Sequence, residues 1–447
     1  MIKRLRVWWI VGVLLTALLV GAACTSDDDV DDDGEDATAT SAPTNGEAAT
    51  ATPFSGTILT SEDVLRKDGT ATKEVEIEWG WMFELSGPPQ IQIFATVTGD
   101  GVLFAVQEIN DAGGFQIGDT IYKIKLLEHD TESDPNKTIG ITRQLIVDDE
   151  VNVIWGPASF GEAEATVITQ AEQVLHLCAC QDRGLTSLSS VEKAAGESHW
   201  AFQTLPLVSR FFLQGALNVK EDHPEYERVA IICIDSEIGR SICELYEESY
   251  SAAGFEIVGV KVFPPGTSDY TPLLTNLKQQ NPDILLNFDD PTAQLNILGQ
   301  ALDMDVASSY NTSLPPDIVQ AAFGDRLEGK EVTAGGIPRQ ATVPTSEAAA
   351  AYFERYAEFS GGELPLASFV SLLSYDFVYM LVAAMQQAGT VEDTTAIADA
   401  LETIHYAGAA EDDIYFNEQH FSVIGSDGCI VRFEQPIECS HDAPVRD

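Results

Sequence analysis

Apolar positions divide the chain into three regimes. An apolar run covers Val7 to Val20, Thr25 to about Thr60 holds almost no large apolar residue, and from about Glu74 short apolar runs alternate with helical spacing. Glu74 to Phe83 is a β-prone run ending at Ser86-Gly87-Pro88, and Gly101 to Asn110 sets Val102, Val106 and Ile109 at i, i+4 and i+7. That spacing is one apolar helical face, and Gly113-Gly114 stops it as a C-terminal cap. Ile121 to Leu127 is the next strand. Ser133 or Asp134 with Pro135 starts a helix over Ile139 to Val147, and Val151 to Trp155 is a strand emptying into Gly156-Pro157. Glu162 to Gln173 and Val174 to Cys180 repeat the unit.

A second series begins with a helix from Leu213 to about Val219. It continues as strand Arg228 to Ile234, helix Arg240 to Ala253, strand Phe255 to Val262, helix Tyr270 to Gln279, strand Asp283 to Phe288 and helix Thr292 to Leu302. Helices over Thr345 to Phe359 and Ser368 to Ala388 follow, and Ile414 to Phe433 is short, β-like and turn-rich. Strands alternating with helices of this length predict an α/β fold of right-handed units around parallel sheets. With 447 residues, 45% of them hydrophobic, two lobes are expected at roughly 100 to 200 residues per domain. Ligands of open α/β sheets bind at the strands' carboxyl edge, which puts the turn after Trp155 among the candidate positions.

The first regime has the layout of an export signal: Lys3, Arg4 and Arg6 precede the apolar run, and Gly21-Ala22-Ala23 follow it. Cys24 after these small residues resembles a bacterial lipobox, although Gly21 stands where leucine is usual. The resemblance implies a signal peptide over 1–23, a diacylglycerol anchor on Cys24 and an exported protein tethered to a bacterial membrane. Residues 24–72 are then expected to be an acidic, disordered stalk. The net charge of -47, from 71 acidic and 24 basic residues, argues against nucleic acid and anionic membrane surfaces as partners. A cationic ligand fits that field, and so does an acidic surface kept for solubility.

Six of the seven cysteines lie beyond Cys24, an even number in a compartment that permits disulfides. Cys429 and Cys439 are the expected pair. Cys233 with Cys243 is a second candidate, with Cys233 reading equally as a buried thiol. His176, Cys178 and Cys180 alternate along one strand, but neighbours on one strand face are roughly 6.5 to 7 Å apart, awkward for a single ion. No metal or cofactor is expected. The chain has no G-x-S-x-G, no P-loop and no G-x-G-x-x-G after a strand, so no enzymatic constellation is read.

The stretches LSGP (85 to 88), GVLFAVQEINDAGG (101 to 114), SDPNK (133 to 137), IWGPASFG (154 to 161), VFPPGTSDYTPLLTNLKQQNPDILL (262 to 286) and SYDFVYMLVAAMQQAG (374 to 389) occur in order. Together they resemble the branched-chain amino-acid class of solute-binding proteins that feed ABC importers. The resemblance implies two Rossmann-like lobes with parallel sheets joined by three hinge crossings, the type I periplasmic-binding-protein fold. Lobe 1 would comprise 73–204 and 341–410, and lobe 2 would comprise 205–340 and 411–447. Crossings are expected near Phe202 to Leu207, Gly335 to Gln340 and Gly408 to Asp413.

The resemblance also carries pocket positions. A hydroxyl residue that holds the ligand carboxylate, aided by backbone N–H groups, falls at Phe160, with Ser159 one place early. Either Ser159 takes the role with a shifted backbone, or the ligand lacks the usual carboxylate contact. The Ala-Thr pair of the next strand aligns with Ala179 and Cys180, the aromatic of the first βα loop with Phe94, and the second-lobe aromatic with Ile238. Asp289 and Asn311 complete the candidates. Adjacent acids at Asp289 and Asp290, with Asp235 and Glu237 on a neighbouring loop, point to an amine, amide or polyol, although Asp290-Pro291 can equally start the next helix. The implied function is capture of a small organic solute and delivery to ABC permease subunits by a monomer. The alternative is a ligand sensor of the same fold acting with a receptor or regulator.

Overall fold

The computed structural model describes residues 56–447 except 88, 159, 179–199, 206–207, 236, 289–290, 335–343, 345, 363, 365–368, 418–419, 425–426, 433–434 and 442–447. The side chains of Ile238, Cys429 and Cys439 are also outside the described set. The chain opens with β1 (Ile58–Leu59), α1 (Ser61–Leu65), β2 (Lys73–Phe83), α2 (Pro89–Asp111), β3 (Phe115–Ile117), β4 (Thr120–Asp130) and α3 (Pro135–Val147). It continues through β5 (Val153–Trp155), α4 (Glu162–Ala171), β6 (Leu175–Cys178) and β7 (Ala201–Gln203). Strands β2 to β7 form a six-stranded sheet in the order β3-β4-β2-β5-β6-β7, parallel except for β3.

The second series is α5 (Val208–Asp222), β8 (Arg228–Ile234), α6 (Glu237–Ala252), β9 (Glu256–Phe263), α7 (Thr271–Lys278), β10 (Ile284–Phe288), α8 (Pro291–Met304), β11 (Ser309–Thr312), α9 (Pro316–Phe323) and β12 (Glu331–Ala334). Then come α10 (Glu347–Ser360), α11 (Phe369–Ala388), α12 (Thr394–Leu401), β13 (His405–Tyr406), β14 (Tyr415–Phe416), β15 (Ser422–Val423), β16 (Asp427–Arg432) and β17 (Glu438–His441). The second sheet runs β17-β16-β12-β11-β10-β8-β9, parallel from β9 to β12, with β16 and β17 antiparallel.

Both sheets are covered on both faces, as period-two alternation on a doubly buried strand requires. Along β2 and β5, Trp79, Trp81, Phe83, Val153 and Trp155 point into a core shared with α2, α10, α11 and α12. Met82 and Ile154, one residue out of phase, point into the other, against α3 and α4. In β8, Ala230 and Ile232 face α7 to α9, whereas Val229, Ile231 and Cys233 face α6. The expected start of α2 at Gly101 falls well inside a helix that begins at Pro89. Gly101 reads as a breaker, yet a Cβ there would lie 2.1 Å from the Ser371 carbonyl oxygen, so the glycine serves close packing of α2 on α11.

Two boundaries differ from expectation. Residues 56–72, expected in the stalk, are folded: Ile58 and Leu59 pair in parallel with His405 and Tyr406, Thr60 and Asp63 form a capping box, and Val64 is 1% exposed. Ile58, Leu59, Val64 and Leu65 supply the apolar surface that the sequence before them lacks. Residues 411–424, expected with lobe 2, pack in the first core. Ile414, Phe416 and Ile424 belong to it, and the Phe416 ring lies 4.9 Å from Phe202 and 5.0 Å from Phe377.

Cys233 and Cys243 form a disulfide joining β8 to α6, with Cα atoms 6.2 Å apart. Cys178 is also disulfide-bonded. Cys429 and Cys439 stand directly opposite each other in the β16–β17 ladder.

Candidate functional site

At the carboxyl end of the first sheet, three strand ends are fixed against one another. Asp130, closing β4, accepts through Oδ1 from the amides of Leu85 (3.0 Å), Ser86 (3.2 Å) and Glu132 (2.8 Å), and the Thr131 amide donates to the Phe83 carbonyl (3.0 Å). These bonds hold the turn after β2. Beyond β5, Gly156 has φ 85° and precedes a cis Pro157; a Cβ at Gly156 would lie 2.0 Å from the Met82 carbonyl oxygen, so only glycine fits.

The loop after β5 is gripped from several sides. His176 of β6 is fully buried. Its Nε2 lies 2.7 Å from the Gly156 carbonyl and so carries the proton, while Nδ1 faces Thr166 Oγ1 at 3.2 Å. Desolvation lowers the His176 pKa to about 4, so the ring is neutral at physiological pH. Thr138 Oγ1 donates to the Phe160 carbonyl at 2.9 Å. From below, Glu84, which follows β2 and is 0% exposed, accepts from the Ala158 amide through Oε2 (3.1 Å) and from the Phe160 amide through Oε1 (2.9 Å). Helix α4 then starts at Glu162 behind Gly161, which sits at φ 79° and, having no side chain, leaves the helix without a side-chain cap.

In the second sheet, Asn287 of β10 is 0% exposed and donates through Nδ2 to the Asn311 carbonyl of β11 (2.8 Å). Asn311 Oδ1 accepts from the Tyr246 hydroxyl of α6 at 3.4 Å. Gln294 Oε1 accepts from Thr312 Oγ1 (2.6 Å) and the Ser313 amide (3.1 Å), tying the end of β11 to α8. Asp235 is ion-paired with Arg240, at 2.7 Å to Nε and 2.5 Å to Nη2. A partly exposed pair of this kind has much of its carboxylate charge offset, which weakens the expectation of an acidic cluster awaiting a cation.

Of the sequence candidates, Phe160 sits in the gripped loop and Asn311 on β11. Phe94 is in the second turn of α2, partly packed against the first core, rather than in a loop, because the helix starts directly after the Ser86-Gly87 turn. Ile238 falls in the first turn of α6 by its backbone. Ser159, Ala179, Cys180 and Asp289 lie outside the described residues, as does Cys24. Glu84 was not among the candidates; it stands between the apolar run WGWMF and LSGP, with no local pattern that singles it out. The His176 nitrogens are both engaged, and among the described residues no group of His, Cys, Asp and Glu is arranged to hold a metal ion.

Two doubly wound α/β lobes, between which one chain passes three times, define the two-lobed solute receptors with the type I periplasmic-binding fold. The chain belongs to the periplasmic binding protein family, whose family model matches residues 76–426. It is 26% identical over 361 residues to Leu/Ile/Val-binding protein homolog 7 of Brucella abortus, covering 75% of this chain and 83% of the relative. Its fold is similar to that of an ABC transporter substrate-binding protein from Sphaerobacter thermophilus, with a TM-score of 0.65, 23% identity and coverage of 83% of this chain and 98% of that one. The branched-chain amino acid transporter substrate binding protein LivJ from Streptococcus pneumoniae, in complex with isoleucine, aligns with a TM-score of 0.61, 22% identity and coverage of 82% and 100%. The family consists of extracytoplasmic solute-binding proteins, not enzymes.

Proposed function

We propose that this protein captures a small organic solute, such as an amino acid, amide or amine, between its two lobes and delivers it to an ABC permease from a lipid anchor on Cys24. The observation that carries this reading is the family match, which runs through both sheets from residue 76 to residue 426. A solute that touches both lobes stabilises the closed arrangement by its differential contacts, and a permease can distinguish closed from open. Delivery requires no chemistry on the solute.

In this reading lobe 1 is residues 56–205 with about 341–424, and lobe 2 is the remainder to the C-terminus. Phe160, Ser159, Ala179, Cys180 and Phe94 contribute from the first lobe, and Ile238, Asp289 and Asn311 from the second. Relatives named for leucine, isoleucine and valine support a small, partly apolar solute. The test is native mass spectrometry of protein purified without refolding, followed by thermal unfolding with aliphatic amino acids, amides, urea, polyamines and small acids. A binder at a hundred times its Kd adds about 2.7 kcal/mol, and one chemical class is expected to do so. Phe160→Ser should reorder the ligands within that class; unchanged ligand order would remove Phe160 from the pocket, and no stabilisation by any class would refute solute capture.

A further inference from the structure

We infer that Glu84 is a specificity-determining residue: its carboxylate takes the loop amides that a solute's acid group would use, so the solute held at this edge carries an amide or amine instead of a free carboxylate. The inference deepens the proposed solute-binding role and rests on it.

Backbone N–H groups just ahead of a helix without a side-chain cap can receive an anion, and here the Ala158 and Phe160 amides stand ahead of α4 at the carboxyl edge where open α/β sheets take their ligands. The receptor is already occupied from within. Glu84 engages the Ala158 and Phe160 amides with one oxygen each, in the two-pronged manner of a bound acid, and is wholly buried while doing so. The loop has little freedom to turn its amides to a second anion: the Gly156 backbone abuts Met82, His176 fixes the Gly156 carbonyl, and Thr138 fixes that of Phe160. A solute carboxylate brought to the same amides would find both already taken by the Glu84 oxygens and would be buried without those partners, an unfavourable exchange. A donor-bearing neutral or cationic group meets no such penalty.

Two measurements test this. In the first, Glu84→Ala is unfolded thermally with acetate or propionate. The emptied amides should take the added acid, restoring the lost midpoint with a half-saturation at least about tenfold below any effect on wild type, the range set by charge-assisted hydrogen bonds. Glu84→Gln, which fills the space, should show no such rescue, and Glu84→Ser takes the place of the alanine variant if that one does not fold. Equal responses of wild type and both variants to acetate would overturn the inference. In the second, wild type is titrated with matched pairs, leucine against leucinamide and acetate against acetamide. Preference for the amide member supports the inference, and preference for the acid with Glu84 intact overturns it. If no member of any pair binds wild type, capture of these solute classes fails, while acetate rescue still decides the role of Glu84.

Discussion

Val64→Ala tests whether the fold begins at Gly56 or only at β2. Val64 is 1% exposed on α1, its carbonyl accepts from Gln386 Nε2 (3.0 Å), and the strand before it receives the Ala407 amide on the Leu59 carbonyl (2.8 Å). Truncation removes two methyl groups from a closed site, at about 0.8 kcal/mol each for transfer plus a cavity contribution, or about 2 kcal/mol in all. Because α1 and β1 are a peripheral unit, this loss is expected as local opening rather than global unfolding. About 2 kcal/mol is roughly a 30-fold change in an opening equilibrium at about 1.4 kcal/mol per tenfold. Hydrogen exchange read by mass spectrometry should therefore show the Ala407 amide exchanging about 30-fold faster, with the β2–β4 ladder unchanged. Removal of residues 1–55 alone should leave Ala407 protected. Unaltered exchange at Ala407 in Val64→Ala would refute the reasoning, as would full loss of protection on removing 1–55.

Replacing both Cys233 and Cys243 by alanine should cost about 3 kcal/mol, the loop-closure value for a link spanning 10 residues, as urea unfolding of the variant and the wild type under non-reducing conditions would record. A cost below 1 kcal/mol would mean that the bridge is not formed in solution. His176, held neutral at a folded pKa of about 4 against an unfolded value near 6.5, takes up its proton more readily when unfolded. Stability is therefore fully present above about pH 6.5 and falls as the pH drops towards 4, by up to about 3 kcal/mol. His176→Gln should lose that part of the pH dependence, and a parallel decline in both proteins would contradict the assignment. Asp134→Ala, which deletes the cap on the Asn136 amide (2.8 Å), should cost about 1 kcal/mol and leave ligand preference unchanged, as a calorimetric titration would record.

The repeat of strand and helix was legible because its signals are local. Strand β8 occupies the expected Arg228 to Ile234, and Asp134 caps α3 as its place before Pro135 implies. Where the reading failed, the deciding contact was distant in sequence. Gly101 looks like a helix boundary until Ser371 is seen against it, and Ile58 to Leu65 look too sparse to fold until β13 and α11 cover them. Strands β11 and β12 escaped notice because Ser309–Thr312 and Glu331–Ala334 are short and mixed in polarity, and their neighbours in the sheet make them strands. The Gly156-Pro157 loop was legible as a turn at the sheet's carboxyl edge, but the contacts that grip it were not. Glu84 reaches that loop from 74 residues away, and no local pattern marks a carboxylate as internal to a binding edge.

The central claim, that solute capture draws two lobes together, is tested most directly by small-angle X-ray scattering of the protein begun at Gly56, before and after saturation with the solute class that stabilises it. The account predicts a smaller radius of gyration on binding, reversed when the solute is removed by dialysis. Saturating binding with an unchanged scattering profile would contradict it.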